Sequence, residues 1–179
     1  PSEFVPETAA LFAEVVPKYF SEDEVAVVTG GEAIGQDFAE LPFDHLFFTG
    51  STRVGAHVMR SAAKNLVPVT LELGGKSPVV IGRSAELDLA GTRLAFSKLL
   101  NGGQLCLSPD YVLVPNELEE QLIARVAHEV QSMYPNITEN EDYAGVINER
   151  HFARLQNYID DAVAKGAKLT VVGAAENLS

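Results

Sequence analysis

The sequence has little cysteine, little positive charge and no long apolar run, and each shortage excludes a class of protein. Cys106 is the one cysteine among 179 residues, so an internal disulfide cannot form and a reducing, cytoplasmic setting is expected. Thirteen Lys and Arg face 25 Asp and Glu, for a formal net charge of −12. That excess of acid repels phosphate and argues against nucleic acid or an anionic membrane as a partner. No apolar run reaches about 18 residues, so no transmembrane helix is expected, and residues 1–20 lack the pattern of a signal peptide.

Apolar residues recur with helical and strand periodicity in alternation along the chain. Helices are predicted at residues 7–20, from 52 onward, and at 86–100, 117–133 and 149–165. Strands are predicted at 25–28, 46–48, 66–71, 78–81, 111–114 and 169–172. Strands that alternate with helices of this length indicate parallel β/α units in an open, layered α/β sheet. One domain boundary is predicted, around residues 71–77, where glycines separate two apolar strands.

The segment 48–55, FTGSTRVG, runs from the end of a predicted strand into the start of a helix. This is where α/β folds bind phosphate, because free N–H groups and the positive end of the helix point at the anion. Gly50 permits the turn, Ser51 can cap the helix, and Gly55 would allow the helix to pack closely on the sheet. An ordinary capped turn explains the same residues equally well, since the G-x-G-x-x-G fingerprint is absent.

Cys106 ends the segment 101–106, NGGQLC, just beyond a predicted helix. A lone cysteine is most often a small buried apolar residue. However, Gly102 and Gly103 leave the backbone free to approach a ligand, and Pro109 makes a regular helix or an interior strand unsuitable here. A free thiol has a pKa of about 8.5, so a nucleophilic role would require a lowered pKa or a nearby base.

Glu72 is the one carboxylate in an apolar strand end, between Leu71 and Leu73. It is either solvated at the edge of the sheet or buried and tuned for base chemistry. Lys76, four residues further on, could also neutralise it.

Together these motifs resemble those of the aldehyde dehydrogenase superfamily. The run 71–78, LELGGKSP, is similar to its glutamate signature, and 101–106 to its cysteine signature. Segment 48–55 resembles its pyrophosphate turn, and 1–3 resembles the end of its Lys-Pro-Ser-Glu segment. The residues around Glu72, Cys106 and His151 are similar to those of the class-3-like and coniferyl aldehyde dehydrogenase branch.

The resemblance implies a role for each of these residues. Cys106 would be the nucleophile and one oxyanion donor, and Glu72 the base that activates water. Gly50, Ser51 and Gly55 would bind the pyrophosphate of NAD, with NADP tolerated. The remaining nucleotide contacts implied are Glu3 at the adenosine ribose, Gly30 and Gly31 near the adenine, and Leu73 at the nicotinamide amide.

The resemblance also implies the end of a Rossmann-like coenzyme-binding domain over residues 1–71 and the start of an α/β catalytic domain over 72–179. The substrate would be a small-molecule aldehyde, aromatic or medium-chain, and no metal ligands are expected. The complete protein would be a homodimer or homotetramer. The family's ribose-binding lysine, oxyanion asparagine and downstream Glu-x-Phe-Gly-Pro segment lie outside this sequence, so this piece alone is expected to be inactive.

Two other functions remain open on the sequence. One is a catalytically silent homologue that binds ligands or has a structural role, and the other is a relative that transfers the acyl group to coenzyme A. The presence of both Cys106 and Glu72 disfavours the first, and Glu72 disfavours the second, because a coenzyme A acceptor does not require activated water.

Overall fold

A computed structural model of the chain describes residues 1–173. The chain folds into two compact units, of which the first is Pro1–Gly74 and the second begins at Gly75. The division falls three residues after residue 71, where the sequence placed the end of the first domain, and the domain assignment 1–71 and 72–179 stays a prediction. Within the described residues, no helix is both long enough and apolar enough to cross a membrane.

The first unit is built around two parallel strands and the helix that connects them. Its elements, in chain order, are α1 Pro6–Val15, a 3-10 turn Val16–Lys18, α2 Glu32–Phe38, β1 Leu46–Gly50, α3 Thr52–Ala63 and β2 Val69–Leu73. Leu46 lies opposite Val69 and Gly50 opposite Leu73, so the two strands end together at their carboxyl ends. The β1–α3–β2 segment is therefore one parallel β/α unit, as predicted.

A small apolar core holds α3 against this sheet. Helix α3 is amphipathic, and its apolar side chains Val58 and Ala62 are buried on the face toward the sheet. The buried members of the core are Ala39, Leu46, Val58, Ala62 and Val67, with Phe43, Phe48 and Val69 packed against them. The core thus fixes the position of the α3 axis relative to the ends of β1 and β2.

The second unit repeats the theme with another parallel strand pair. Its elements are β3 Pro78–Val80, α4 Leu87–Leu99, a 3-10 turn Leu100–Gly103, β4 Tyr111–Leu113, α5 Asn116–Met133, a 3-10 turn Ile137–Glu139 and α6 Glu149–Ala164. Pro78 pairs with Tyr111 and Val80 with Leu113. Ile81, Leu94 and Leu122 form its buried core between the sheet, α4 and α5. The chain between α4 and β4, which carries Cys106, is therefore anchored at both ends.

All five predicted helices are confirmed, with the first shortened to α1 and its 3-10 extension. Four predicted strands are confirmed as β1 to β4. The strands predicted at 25–28 and 169–172 are wrong, because neither segment pairs with another strand among residues 1–173. A strand exists through its ladder of backbone hydrogen bonds, and an apolar run without that ladder remains irregular. Helix α2 was not predicted.

Candidate active site

The turn between β1 and α3 has the geometry of an anion site. Ser51 is the N-cap of α3: its Oγ accepts a hydrogen bond from the N–H of Val54 at 3.3 Å, and its carbonyl accepts one from Gly55 at 2.8 Å. The N–H groups of Thr52 and Arg53 belong to the first turn, where helical geometry provides no intrahelical acceptor. Two amides and the positive end of a helix of twelve residues therefore meet at the carboxyl end of a parallel strand.

Gly55 allows this helix to lie unusually close to the sheet. A Cβ at Gly55 would lie 2.8 Å from Cδ2 of Leu73, and one at Gly50 would lie 2.5 Å from Cζ of Phe48. The strand register places Gly50 directly opposite Leu73. Four of the predicted nucleotide-binding residues are thus brought together at one end of the unit: Gly50, Ser51, Gly55 and Leu73.

The other predicted nucleotide contacts lie elsewhere in the first unit. Glu3 is exposed in the turn before α1, and Gly31 is the N-cap of α2. Gly30 has a φ of 155°, and a Cβ there would lie 2.6 Å from Cγ1 of Ile34. Within residues 1–173, no hydrogen bond joins any of these three residues to the β1–α3 turn. Their part in nucleotide binding stays a prediction.

Glu72 lies inside β2, opposite Thr49 of β1, and its side chain is exposed. The described residues therefore do not bury it, which favours the solvated alternative over the buried one within this chain. Lys76, the neutralising partner suggested by the sequence, forms an ion pair with Asp110. Its charge is therefore already matched by another carboxylate.

Cys106 is exposed, so the interpretation of this residue as a buried apolar side chain is wrong. The segment before it has three successive residues in the left-handed region: Asn101 at φ 52°, Gly102 at φ 62° and Gly103 at φ 74°. This reversal ends α4 and its 3-10 extension. A turn closed by the N–H of Ser108 on the carbonyl of Leu105 then places Cys106 at its second position. The result is a thiol on the outside of a tight, irregular loop.

The backbone around Cys106 is held on one side and free on the other. Its carbonyl accepts a hydrogen bond from Oγ of Ser77 at 3.4 Å. Its N–H has no acceptor among the described residues. A free N–H beside a nucleophile is the donor that an oxyanion hole requires.

Gln104 is a residue of this site that the sequence did not single out. Its Nε2 donates to the carbonyls of Asn101 at 3.0 Å and Gly145 at 2.9 Å, and its Oε1 accepts from the N–H of Ile147 at 2.9 Å. The only sequence signal was Asn followed by two glycines. This pattern is typical of left-handed backbone, which a nearby side chain would have to stabilise by hydrogen bonds.

Comparisons with known proteins show which proteins this chain is similar to. The sequence model of the aldehyde dehydrogenase family matches residues 1–179. The chain is 51% identical to a probable coniferyl aldehyde dehydrogenase of Caulobacter vibrioides, across 100% of this chain and 37% of the relative. It is 43% identical to aldehyde dehydrogenase family 3 member A2 of Mus musculus, across 97% of this chain and 35% of the relative.

A solved structure shows the same fold. The Mycobacterium tuberculosis aldehyde dehydrogenase complexed with NAD+ superposes with a TM-score of 0.81 at 34% identity, across 93% of this chain and 35% of that one. The predicted fold class, a Rossmann-like α/β part followed by further α/β structure, is thereby confirmed. The chain spans little more than a third of the length of the relatives that it matches.

Proposed function

Because the chain belongs to the aldehyde dehydrogenase family, we propose that the full-length protein oxidises an aldehyde to the carboxylic acid with NAD as hydride acceptor. The observation that carries the proposal is the exposed Cys106, whose free N–H lies beside its thiol in a loop shaped by left-handed backbone. A structural thiol would require none of these features. Similarity to the coniferyl and family 3 relatives over almost the whole chain supports the same activity.

The first unit offers a suitable place for the nucleotide. The N–H groups at the start of α3 can bind a pyrophosphate, with the hydroxyl of Ser51 beside them. Gly55 removes the Cβ that would otherwise push α3 away from Leu73. Glu3, Gly30, Gly31 and the backbone of Leu73 are the further contacts that we assign to the adenosine and nicotinamide ends. The bound nicotinamide supplies the two-electron acceptor for the aldehyde hydrogen.

Cys106 performs the first half of the reaction. Its thiolate forms a bond to the carbonyl carbon, and the carbonyl oxygen takes the negative charge of the resulting thiohemiacetal. The N–H of Cys106 stabilises that oxygen, by about 3 kcal/mol if it behaves as oxyanion-hole donors do in other enzymes. Loss of the hydride then leaves an acyl group bound as a thioester to Cys106.

Glu72 performs the second half as a general base. Its carboxylate takes a proton from water as the water oxygen attacks the thioester carbon. The carbon–sulfur bond then breaks, which releases the carboxylic acid and regenerates the Cys106 thiolate. The resemblance of residues 71–78 to the family's glutamate signature supports this role, and water can reach the carboxylate because Glu72 is exposed.

We further propose an aromatic or medium-chain aldehyde as substrate and a homodimer or homotetramer as the assembly. The side chains on either side of the nucleophile are apolar and exposed, Leu105 to 42% and Leu107 to 83%. Apolar surface beside the thiol favours a substrate that can cover it. The name of the Caulobacter vibrioides relative, a probable coniferyl aldehyde dehydrogenase, supports an aromatic substrate.

Two substitutions in the full-length protein test the mechanism. Cys106→Ser should abolish oxidation, because a hydroxyl of far higher pKa does not form the adduct at neutral pH. Glu72→Gln keeps the shape and removes the base, so it should give one stoichiometric burst of NADH and then slow turnover. Mass spectrometry should find the acyl group on Cys106 in the slow phase. Glu22→Gln is the control, since Glu22 is exposed and makes no ion pair or side-chain hydrogen bond among the described residues.

Other outcomes would change the assignment. A burst that is itself slowed, without acyl-enzyme, would make Glu72 the base for the Cys106 thiol. Wild-type turnover in Glu72→Gln would return Glu72 to a structural role. Wild-type protein that oxidises no aldehyde would indicate a silent homologue, and product formation only with coenzyme A would indicate an acyl-transferring relative.

A further inference from the structure

The loop that carries Cys106 is fastened to a segment about forty residues further along the chain. The three hydrogen bonds of the Gln104 side chain use both protons of its amide nitrogen and its amide oxygen. One bond stays within the loop, at Asn101, and the other two reach Gly145 and Ile147. Gln104 therefore joins two stretches of irregular backbone that no strand pairing connects within the described residues.

A second contact brings the same two stretches together. A Cβ at Gly102 would lie 2.5 Å from the carbonyl oxygen of Ala144, so the two backbones approach more closely than a side chain allows. Asn101 and Gly103, on either side, are also left-handed. Left-handed backbone at a residue other than glycine is held only where its surroundings fix it. The Gln104 amide, bonded to the carbonyl of Asn101, is one of those surroundings.

We propose that Gln104 is a positioning residue for the nucleophile: it fixes the 101–106 loop against residues 144–147 and so sets the place of Cys106. The proposal rests on the proposed role of Cys106. Gln104 itself is exposed, and its side chain lies two residues before the thiol in the chain. Exposed hydrogen bonds contribute little to global stability, because water competes for the same groups. The main effect of losing them is therefore on the geometry of the loop, and misplacement of a reacting group by about 1 Å lowers turnover by roughly a hundredfold.

The test uses two variants of the full-length protein. Gln104→Met keeps the length of the side chain and removes all three hydrogen bonds without adding charge. Gln104→Glu replaces the donor nitrogen with oxygen, which the carbonyls of Asn101 and Gly145 repel. Gln121→Met is the matched control, because Gln121 is exposed on α5 and makes no side-chain hydrogen bond among the described residues.

Hydrogen exchange gives the first readout. In Gln104→Met, peptides that cover residues 101–106 and 144–147 should both exchange faster, whereas β3 and α5 should be unchanged. Kinetics give the second. The kcat for aldehyde oxidation should fall by about ten- to a hundredfold, while the KM for NAD stays within about twofold, since the nucleotide residues lie in the first unit. If Gln104→Glu fails to fold, Gln104→Met still decides the matter.

Three results would overturn the proposal: unchanged exchange in both segments, faster exchange in only one of them, or faster exchange in both with unchanged kcat. The last result would mean that Gln104 stabilises the two segments but does not affect the position of Cys106. If the wild-type protein oxidises no aldehyde, the proposed function fails. In that case the rate of Cys106 alkylation by iodoacetamide replaces kcat, and an equal rate in Gln104→Met and wild type would reject the positioning role.

Discussion

Replacement of Gly55 by alanine tests whether close packing of α3 on β2 shapes the nucleotide site. The added Cβ would lie 2.8 Å from Cδ2 of Leu73, about 0.7 Å nearer than the ~3.5 Å at which carbon atoms attract best. Gly55 is buried at the first turn of α3, so the overlap requires movement of the helix or a new rotamer of Leu73. Overpacking of this kind costs about 1–3 kcal/mol. Movement of α3 also displaces the N–H groups of Thr52 and Arg53 that we assign to the pyrophosphate.

We expect Gly55→Ala in the full-length protein to lower Tm and to weaken NADH binding by about tenfold. Loss of a hydrogen bond to a charged group costs about 1.5–3 kcal/mol, and each 1.4 kcal/mol is a factor of about ten in Kd. Thermal denaturation measures the first effect, and quenching or transfer of nucleotide fluorescence on titration measures the second. Gly35→Ala in α2 is the matched control, because nothing lies within 4 Å of its added Cβ. It should leave the Kd for NADH unchanged and raise Tm, since alanine favours helix over glycine by about 0.5–1 kcal/mol.

The physical cause can be isolated by removing the atom that the new Cβ meets. In the double variant Gly55→Ala, Leu73→Ala, Cδ2 of residue 73 is absent. The loss in the free energy of unfolding should therefore be smaller than the sum of the losses in the two single variants, by about 0.5–3 kcal/mol. Additive losses would show that the 2.8 Å approach is not what destabilises the variant. Normal Tm and normal NADH affinity in Gly55→Ala would refute the argument altogether.

Three further predictions concern cofactor, substrate and pH. The full-length protein should have a higher kcat/KM with NAD than with NADP, because the carboxylate of Glu3 suits ribose hydroxyls and repels a 2′-phosphate. Glu3→Gln should reduce the ratio of kcat/KM with NAD to kcat/KM with NADP. A clear NADP preference in the wild type would contradict the assignment of Glu3. Aromatic or medium-chain aldehydes should have a higher kcat/KM than acetaldehyde, and a substrate panel led by acetaldehyde would contradict the role of Leu105 and Leu107. Burial, and then the neighbouring Tyr134, raise the pKa of Tyr143 above its ordinary value of 10.0. A raised pKa means that the folded state holds this proton more tightly than the unfolded state does. The resulting contribution to the free energy of unfolding is therefore complete below pH ~10 and is lost as the pH rises through the folded-state pKa. Tyr143→Phe should remove a phenol with a raised pKa from an ultraviolet titration and should reduce the alkaline loss of stability.

The elements that could be predicted are those whose own residues contain the signal. In α3 and α5, apolar side chains recur on one face over three or more turns, so local periodicity was sufficient. Residues 25–28 and 169–172 are as apolar as the true strands, but strand formation depends on a partner that periodicity does not reveal. Helix α2 was missed because it has seven residues, Gly35 among them.

The candidate site divides in the same way. Ser51 could be identified because a serine before a helix has a local physical role, and the structure shows its cap. Gln104 could not, because two of its partners lie 41 and 43 residues away along the chain. Exposure of Cys106 was also beyond the sequence, since both of its leucine neighbours are apolar. A polar side chain that acts through distant backbone groups leaves no pattern in its own neighbourhood.

The two short sheets also affect the solubility of these 179 residues when they are expressed alone. Among the described residues each sheet has two strands, so each leaves strand edges unpaired, and apolar side chains such as Phe47, Val80 and Leu113 are more than half exposed. Unpaired edges with apolar side chains join readily to strands of other molecules. Expressed alone, this segment should therefore form insoluble aggregates rich in β-structure, despite a net charge of −12. Lysine substitutions at Val80 and Leu113 would introduce charge along those edges and should increase the soluble fraction.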